Sequence, residues 1–468
     1  MENSLLIEML RLLQRNEKLA LRKYLQSPYH NTRVDVCLLY DFMAAKTNLK
    51  LENLSDRKTI FQAVYKDSAY DSKKLNYVVS YLIKLIESFI AQEAYARNES
   101  ERLLTLVRGF RRGHWLALSE RSARTAAKKL EKQTHRNAAY HRQYFHLLKE
   151  TMLGQLQQSR SKAFDFNSIN EAHEKAFFIE KMQLGCMIQS RSAVANKTFD
   201  TGFLPVMLAF LKDHPWLQEP ALSAWYHGFQ MHTAAEPDLH FENLKKVIFE
   251  HGLLFNDLER HDLFLLAVNF CIRRINSGDS AFSRDLFDLY REGMHQDVFL
   301  ENGMISRWTY NNIVNSALKT SEIAWAIRFL EENRAKLEPA FRDTSYYFNL
   351  ARCLYEKGDY STALECLTRM EYDDVLQNLS AKTLQIKIYY DMQAWQALDS
   401  LLDSVSIYIR RKKVLGYHKE NFSNNLRFMQ RLMSIPPGDR AARLQLQHDV
   451  ENCKVLTERS WFLGKLNH

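Results

Sequence analysis

Arg121, Arg124, Lys128 and Lys132 recur at intervals of three, four and four residues, a spacing that sets all four side chains on one face of a helix. Cations so arranged can neutralise the phosphates of a nucleic-acid backbone or meet an acidic protein surface. The surrounding segment, Glu101 to Asp165, holds 14 Lys and Arg against 5 Asp and Glu, an excess of nine that equals the +9 net charge of the whole 468-residue chain. His135, Arg136, Tyr140, His141, Arg142 and Tyr144 continue its basic and aromatic character, and rings beside cations are what stack on single-stranded bases. The plainer reading is a solvated helix face, with Tyr140, Tyr144 and Leu147 as core residues at helical spacing.

Other chemistry is missing from the chain. No GxGxxG loop and no GxxxxGK followed by Ser or Thr is present to cradle a nucleotide phosphate. The 16 histidines include no HExxH or HxxxH pattern; His141 with His146 and His227 with His232 stand five apart, off one helical face, so no metal site is expected. GxSxG is absent, Gly278, Asp279 and Ser280 read as a turn with an N-capping Asp or Ser, and the pair Asp373 and Asp374 reads as a turn too. Cys37, Cys186, Cys271, Cys353, Cys366 and Cys453 are widely scattered, the pattern of thiols in a reducing compartment. The expectation is a protein that is not an enzyme, with no catalytic residues and no cofactor.

The elements that would carry these residues are helical. Only 14 Gly and 8 Pro interrupt the 468 residues, so helix formers dominate and an all-α fold is predicted. Leu75, Val78, Val79, Leu82, Leu85, Ile86, Phe89 and Ile90 recur at helical intervals behind Asp71, a good N-cap, and predict one long helix with a buried face. It closes a compact helical N-terminal region, 1–100, whose earlier helices are read at Leu5 to Gln14, Leu19 to Gln26, Arg33 to Ala45 and Asp56 to Tyr65. Helix pairs at intervals of about 35 to 45 residues follow, the mark of an α-solenoid. They divide into a divergent array with a basic first part (101–303), a more regular array (304–412) and capping helices (413–468). Arg410, Arg411, Lys412 and Lys413 complement the dipole at a helix C-terminus. The acidic Glu2 near the start is unlike a secretory signal, and the most apolar run, Gly202 to Leu211, is far short of the roughly 20 residues of a membrane span. A cytoplasmic protein with no membrane span is expected.

Tyr347 to Met370 carries a more specific pattern. Lys357, Gly358, Asp359 and Tyr360, followed by Ala363, resemble the turn of the tetratricopeptide repeat, and Tyr347, Leu350, Ala351, Leu354, Ala363 and Leu367 fall on that family's core positions. Gln393, Ala394, Trp395 and Leu398, with Tyr389 and Leu402, resemble a second copy; Tyr310, Ile313, Val314, Ala326 and Leu330 resemble a third; Gly113, His114 and Trp115 echo the turn earlier. The turn Gly is lost at Gln393, and Gln385 takes a normally apolar position. The whole chain also resembles a group of uncharacterised bacterial helical-repeat proteins, a resemblance that implies no activity. Thr59 to Tyr65 and Asp71 to Ile90 resemble the helical part of winged-helix regulators, although Glu101 to Phe110, where the wing would follow, reads as helix.

The tetratricopeptide resemblance implies a helical-hairpin superhelix whose first helices line a concave groove for an extended or helical peptide. Carried over position by position, the groove residues are Asn311, Asn315 and Leu318, then Phe348, Arg352 and Tyr355, then Thr383, Lys387 and Tyr390. Asn315, Arg352 and Lys387 share one equivalent position and stack donors suited to carboxylates or backbone carbonyls. The function implied is a protein-protein interaction scaffold or adaptor; the alternative is a regulatory nucleic-acid-binding protein using the basic 101–165 segment.

Overall fold

The computed structural model describes residues 5–46, 57–66, 68–159, 164–370, 375–411 and 418–467. Glu2, Asp56, Asp373, Asp374, Lys412 and Lys413, all named above, lie outside the described residues. Those described are all-α, with 23 α-helices, no strand, and two isolated β-bridges joining Glu301 to Met304 and Ile305 to Leu337. They group into two compact units, Met1–Glu180 and Lys181–His468. This boundary differs from the divisions read at 100, 303 and 412. It falls inside one continuous helix, Phe166–Ala195, where no turn or change of composition marks it.

The first unit opens with α1 (Leu5–Leu12), α2 (Arg15–Gln26), α3 (Val34–Lys46), α4 (Arg57–Tyr65) and α5 (Ser72–Arg97). Their apolar faces meet in one cluster that includes Leu6, Leu10, Leu21, Phe61, Leu75, Leu82 and Phe89. Each such side chain contributes about 1.5–3 kcal/mol by leaving water. Asp71 caps α5 as its type predicts, accepting from the backbone N–H of Lys73 at 2.8 Å and of Lys74 at 3.1 Å. The helix runs past Ile90 to Arg97, and Asn98 then caps α6 (Glu99–Arg112) through the Glu101 N–H at 3.1 Å. Helix therefore stands where a wing would need strands.

α7 (Leu116–Glu131) and α8 (Ala138–Gln158) complete a three-helix layer with α6. Val107, Ala123 and Leu147 form its small core, and the Ser119 hydroxyl donates to the Val107 carbonyl at 3.0 Å. Glu150, only 8% exposed, accepts from Arg108 at 3.1 Å and Arg111 at 2.7 Å. α9 is the helix Phe166–Ala195, which enters the second unit.

In the second unit α10 (Leu204–Leu211), α11 (Pro220–Gln230), α12 (Pro237–His251), α13 (Asp257–Asn276) and α14 (Phe282–His295) precede three regular pairs. Ala281, with no capping side chain, occupies the N-cap of α14, while Asp279 accepts from its N–H at 3.3 Å two residues short of the expected role. The pairs are α15 (Arg307–Lys319) with α16 (Ile323–Asn333), α17 (Arg342–Lys357) with α18 (Tyr360–Thr368), and α19 (Val375–Asp391) with α20 (Trp395–Arg411). α21 (His418–Ser434), α22 (Arg440–Asn452) and α23 (Arg459–Leu466) end the chain.

One turn recurs. Between α15 and α16, α17 and α18, and α19 and α20, a single left-handed residue reverses the chain: Ser321 (φ +61°), Gly358 (φ +84°) and Gln393 (φ +55°). The residue after it donates to a carbonyl five back, Glu322 to Ala317, Asp359 to Leu354 and Ala394 to Tyr389, each at 2.9 Å. This is the Schellman closure of a helix end, for which glycine is the usual occupant. The same turn joins α6 to α7, with Trp115 donating to Phe110 at 2.8 Å, but its left-handed residue is His114 (φ +61°) rather than the neighbouring Gly113. Gly278 (φ +101°) closes α13 in the same way, with Asp279 donating to Arg274 at 3.0 Å. Non-glycine residues hold the conformation at some strain, which is why the sequence shows the turn clearly only where glycine fills it, as at Gly278 and Gly358.

Candidate functional site

The three pairs are fixed by small and aromatic residues at their centres. Tyr310 is fully buried and its hydroxyl donates to the Leu330 carbonyl at 3.0 Å, locking α15 to α16. Ala351 and Ala363, both 0% exposed, let α17 and α18 approach closely, and Tyr360 packs 5.8 Å from Tyr355. Tyr347 and Leu350 are half-buried, and Leu354 and Leu367 are buried. Leu398 and Leu402 are buried on α20, whereas Gln385 stands half-buried on α19.

With those faces committed to the core, α15, α17 and α19 turn the next face of each helix towards a common cavity of about 750 Å³. Asn315, Leu318, Phe348, Arg352, Tyr355, Thr383 and Lys387 all line it. Asn311 and Tyr390 lie outside that lining: Asn311 bonds to the buried Asn349, and Tyr390 packs edge-on to Trp395 at 5.6 Å and Trp461 at 5.4 Å. The opposite wall comes from His418, Asn421 and Phe422 of α21 and from Thr457, Glu458, Ser460 and Trp461 at the start of α23.

Two different polar arrangements hold this floor. Between α15 and α17 the bonds run through neutral amides: Arg352 donates to Asn315 Oδ1 at 2.9 Å and Asn349 Oδ1 at 3.3 Å, and Asn349 Nδ2 donates to Asn311 Oδ1 at 2.6 Å and the Ser345 carbonyl at 2.8 Å. Among the described residues no carboxylate lies within 4 Å of the Arg352 guanidinium, and burial lowers its pKa from the ordinary arginine value. Arginine stays protonated even so. Glu458 and Glu356 act on this charge only from beyond ion-pair distance.

Between α17, α19 and α23 the charges are matched. Lys387 Nζ lies 2.9 Å from Glu458 Oε2, with the Tyr355 and Trp461 rings 5.0 and 5.9 Å away. The Tyr355 hydroxyl donates to Asp391 Oδ2 at 2.7 Å and accepts from Trp461 Nε1 at 2.6 Å, while Lys465 meets Asp391 at 2.6 Å. Burial, then the bond to Asp391, raises the Tyr355 pKa well above the phenol range. Thr383 spends its hydroxyl on its own helix, donating to the Leu379 carbonyl at 2.8 Å. Behind Trp461, Asn425 is 7% exposed and neither its oxygen nor its nitrogen has a partner among the described residues.

Asn349, Asp391, Asn421, Glu458 and Trp461 belong to this floor and wall but escape a reading from sequence. Asn349 sits one turn before Arg352 at an apparent core position. The others are joined to the cavity only by the fold, Trp461 across 106 residues from Tyr355.

The four cations of α7 and its C-cap, Lys132, stand in the first unit, on a different footing. Ser119, Ala123 and Leu130 turn inwards, which leaves Arg121, Arg124, Lys128 and Lys132 exposed. Arg124 pairs with Glu120 one turn earlier at 2.9 Å. Nearby cations are also matched, Lys129 with Glu99 and Arg142 with Glu180. Arg136 lies over the Tyr140 ring at 4.4 Å, Tyr140 and Tyr144 are half-buried, and Leu147 is buried.

All six cysteines are free; Cys186, Cys271, Cys353 and Cys366 are buried, and burial pushes the Cys353 thiol up to about 12. Among the described residues no helix is long and apolar enough to cross a membrane. Comparison of the chain with known protein families, curated proteins and solved structures found no match.

Proposed function

We propose that the α15–α20 pairs are tetratricopeptide-like repeats of a helical superhelix, and that the protein is a non-catalytic scaffold or adaptor that captures a peptide or helix in the cavity they line. An acidic side chain or terminal carboxylate of the ligand meets Arg352, and its apolar residues pack on Leu318, Phe348 and Trp461. The observation that carries this reading is the Arg352 guanidinium: half-buried, bonded to neutral amides, and lining a cavity of about 750 Å³. A desolvated cation of this kind is held ready for a charge-assisted, bidentate bond to a carboxylate.

The test is selection from a random peptide library displayed on phage, counter-selected against an Arg352→Met variant. Enriched peptides should share an Asp, a Glu or a free carboxyl terminus, and should lose on the order of tenfold or more in affinity for the variant. Enrichment of the same peptides on both proteins would remove Arg352 from the reading. The second reading, nucleic-acid binding by α7, draws on the exposure of all four of its cations. Retention on heparin that falls steeply with salt and is lost on changing Arg121, Lys128 and Lys132 to Gln would favour it.

A further inference from the structure

A second cavity, of about 950 Å³, lies in the second unit between the end of α9, α10, the C-terminal turn of α11 and the last turn of α13. We propose that it binds a hydrophobic carboxylate, with the acid on Arg273 and the apolar body among Leu208, Phe229 and Phe270.

Arg273 and Arg274 are adjacent in the last turn of α13, where cations ordinarily complement the helix dipole. Arg274 has an ordinary structural task, pairing with Asp238 at 2.8 Å and Asp279 at 3.1 Å. Arg273 does not share it. Its guanidinium donates instead to the His232 ring nitrogen Nδ1 at 2.7 Å, and no carboxylate among the described residues lies within 4 Å of it. Burial, with Arg273 beside it, lowers the His232 pKa to about 4, so at neutral pH the ring is an uncharged acceptor and the arginine charge stays unmatched. Lys212, from the far side of the cavity, adds a second cation with no carboxylate within 4 Å among the described residues.

The remaining walls fit an apolar body. Phe199, half exposed, stands at the rim, and the buried Phe229 and Phe270 line the interior. Gln189 Oε1 is buried in the same lining without a donor, which leaves an acceptor for an N–H or O–H on the ligand. Cavities of this size hold drug-sized molecules, and mostly apolar walls with a few convergent polar groups are their usual make-up. The same chemistry is offered by a free small acid and by the carboxyl terminus of a peptide ending in an apolar residue.

Isothermal titration calorimetry of the full chain with octanoate and 3-phenylpropionate, with the corresponding amides, and with an N-acetylated peptide ending in Phe tests the proposal. At least one acid or the peptide should bind, its amide counterpart should bind about tenfold more weakly or not at all, and Arg273→Gln should remove the difference. The tighter arm identifies the source of the carboxylate. Leu208→Trp, which fills the cavity, should abolish binding with an unchanged circular dichroism spectrum. Equal binding of acid and amide, no binding in any arm, or binding that survives both substitutions overturns the proposal.

Discussion

The α7 cations and Arg352 have the same charge and opposite surroundings. On α7 the side chains reach into water, where solvent and salt screen them and the Arg124–Glu120 pair is worth about 0.3–0.5 kcal/mol. Arg352 is half-buried in the floor of the cavity and hydrogen-bonds amide oxygens. The row on α7 is conspicuous in the sequence because an exposed face tolerates charge, whereas the arginine in the cavity is a single letter that only the repeat resemblance picks out. What a cation can do is set by what it has been taken away from, and that is a tertiary property.

The largest effect expected from breaking this contrast is at Glu150, where burial and pairing occur together. Glu150→Ala leaves Arg108 and Arg111 without their buried carboxylate and should cost about 3–5 kcal/mol in urea denaturation; a cost comparable with a surface change would mean that these charges are hydrated after all. Next is Tyr355→Phe, which leaves Trp461 Nε1–H and Asp391 short of a partner and should cost about 1–3 kcal/mol in the same measurement.

A pH titration of stability separates burial from pairing. His227 and His232 have their pKa values lowered to about 4, chiefly by burial. An unfolded histidine titrates near 6.5, so the folded state binds fewer protons below that pH, and the stability these rings contribute is present above about 6.5 and lost as pH falls towards 4. Thermal denaturation between pH 7 and 4 should show that loss, and a His227→Phe, His232→Gln double variant should flatten it.

Arg352→Met should change stability by no more than about 1 kcal/mol in either direction, because the lost amide bonds and the relieved burial of charge oppose each other. It should nevertheless weaken capture of acidic peptides by about tenfold or more. The smallest effects belong to α7, where Arg121→Gln and Lys128→Gln should each stay within about 0.5 kcal/mol by thermal denaturation. A larger loss there would show that the helix face is covered.

Much of this was legible in the chain. Asp71 caps α5, Gly358 closes α17, and Ala351 and Ala363 sit at the buried centre of a pair, since capping, left-handed turns and close helix approach each favour particular residue types. Asn315, Arg352 and Lys387, read as equivalent positions, do line one cavity, because helices of similar length and spacing present equivalent faces. Asn349 was not legible, since an asparagine on a core face gives no sign of its partner until a neighbouring helix supplies one.

The sequence alone determined the helices and many of their ends, because periodicity, caps and turn residues act over a few positions. It also determined the charge of each segment. Only the tertiary structure decided which cations are desolvated, that Glu458 pairs directly with Lys387 and acts on Arg352 only from a distance, and that Trp461 reaches Tyr355. Pairing and desolvation depend on distances between residues far apart in the chain, and those distances do not exist until the helices pack.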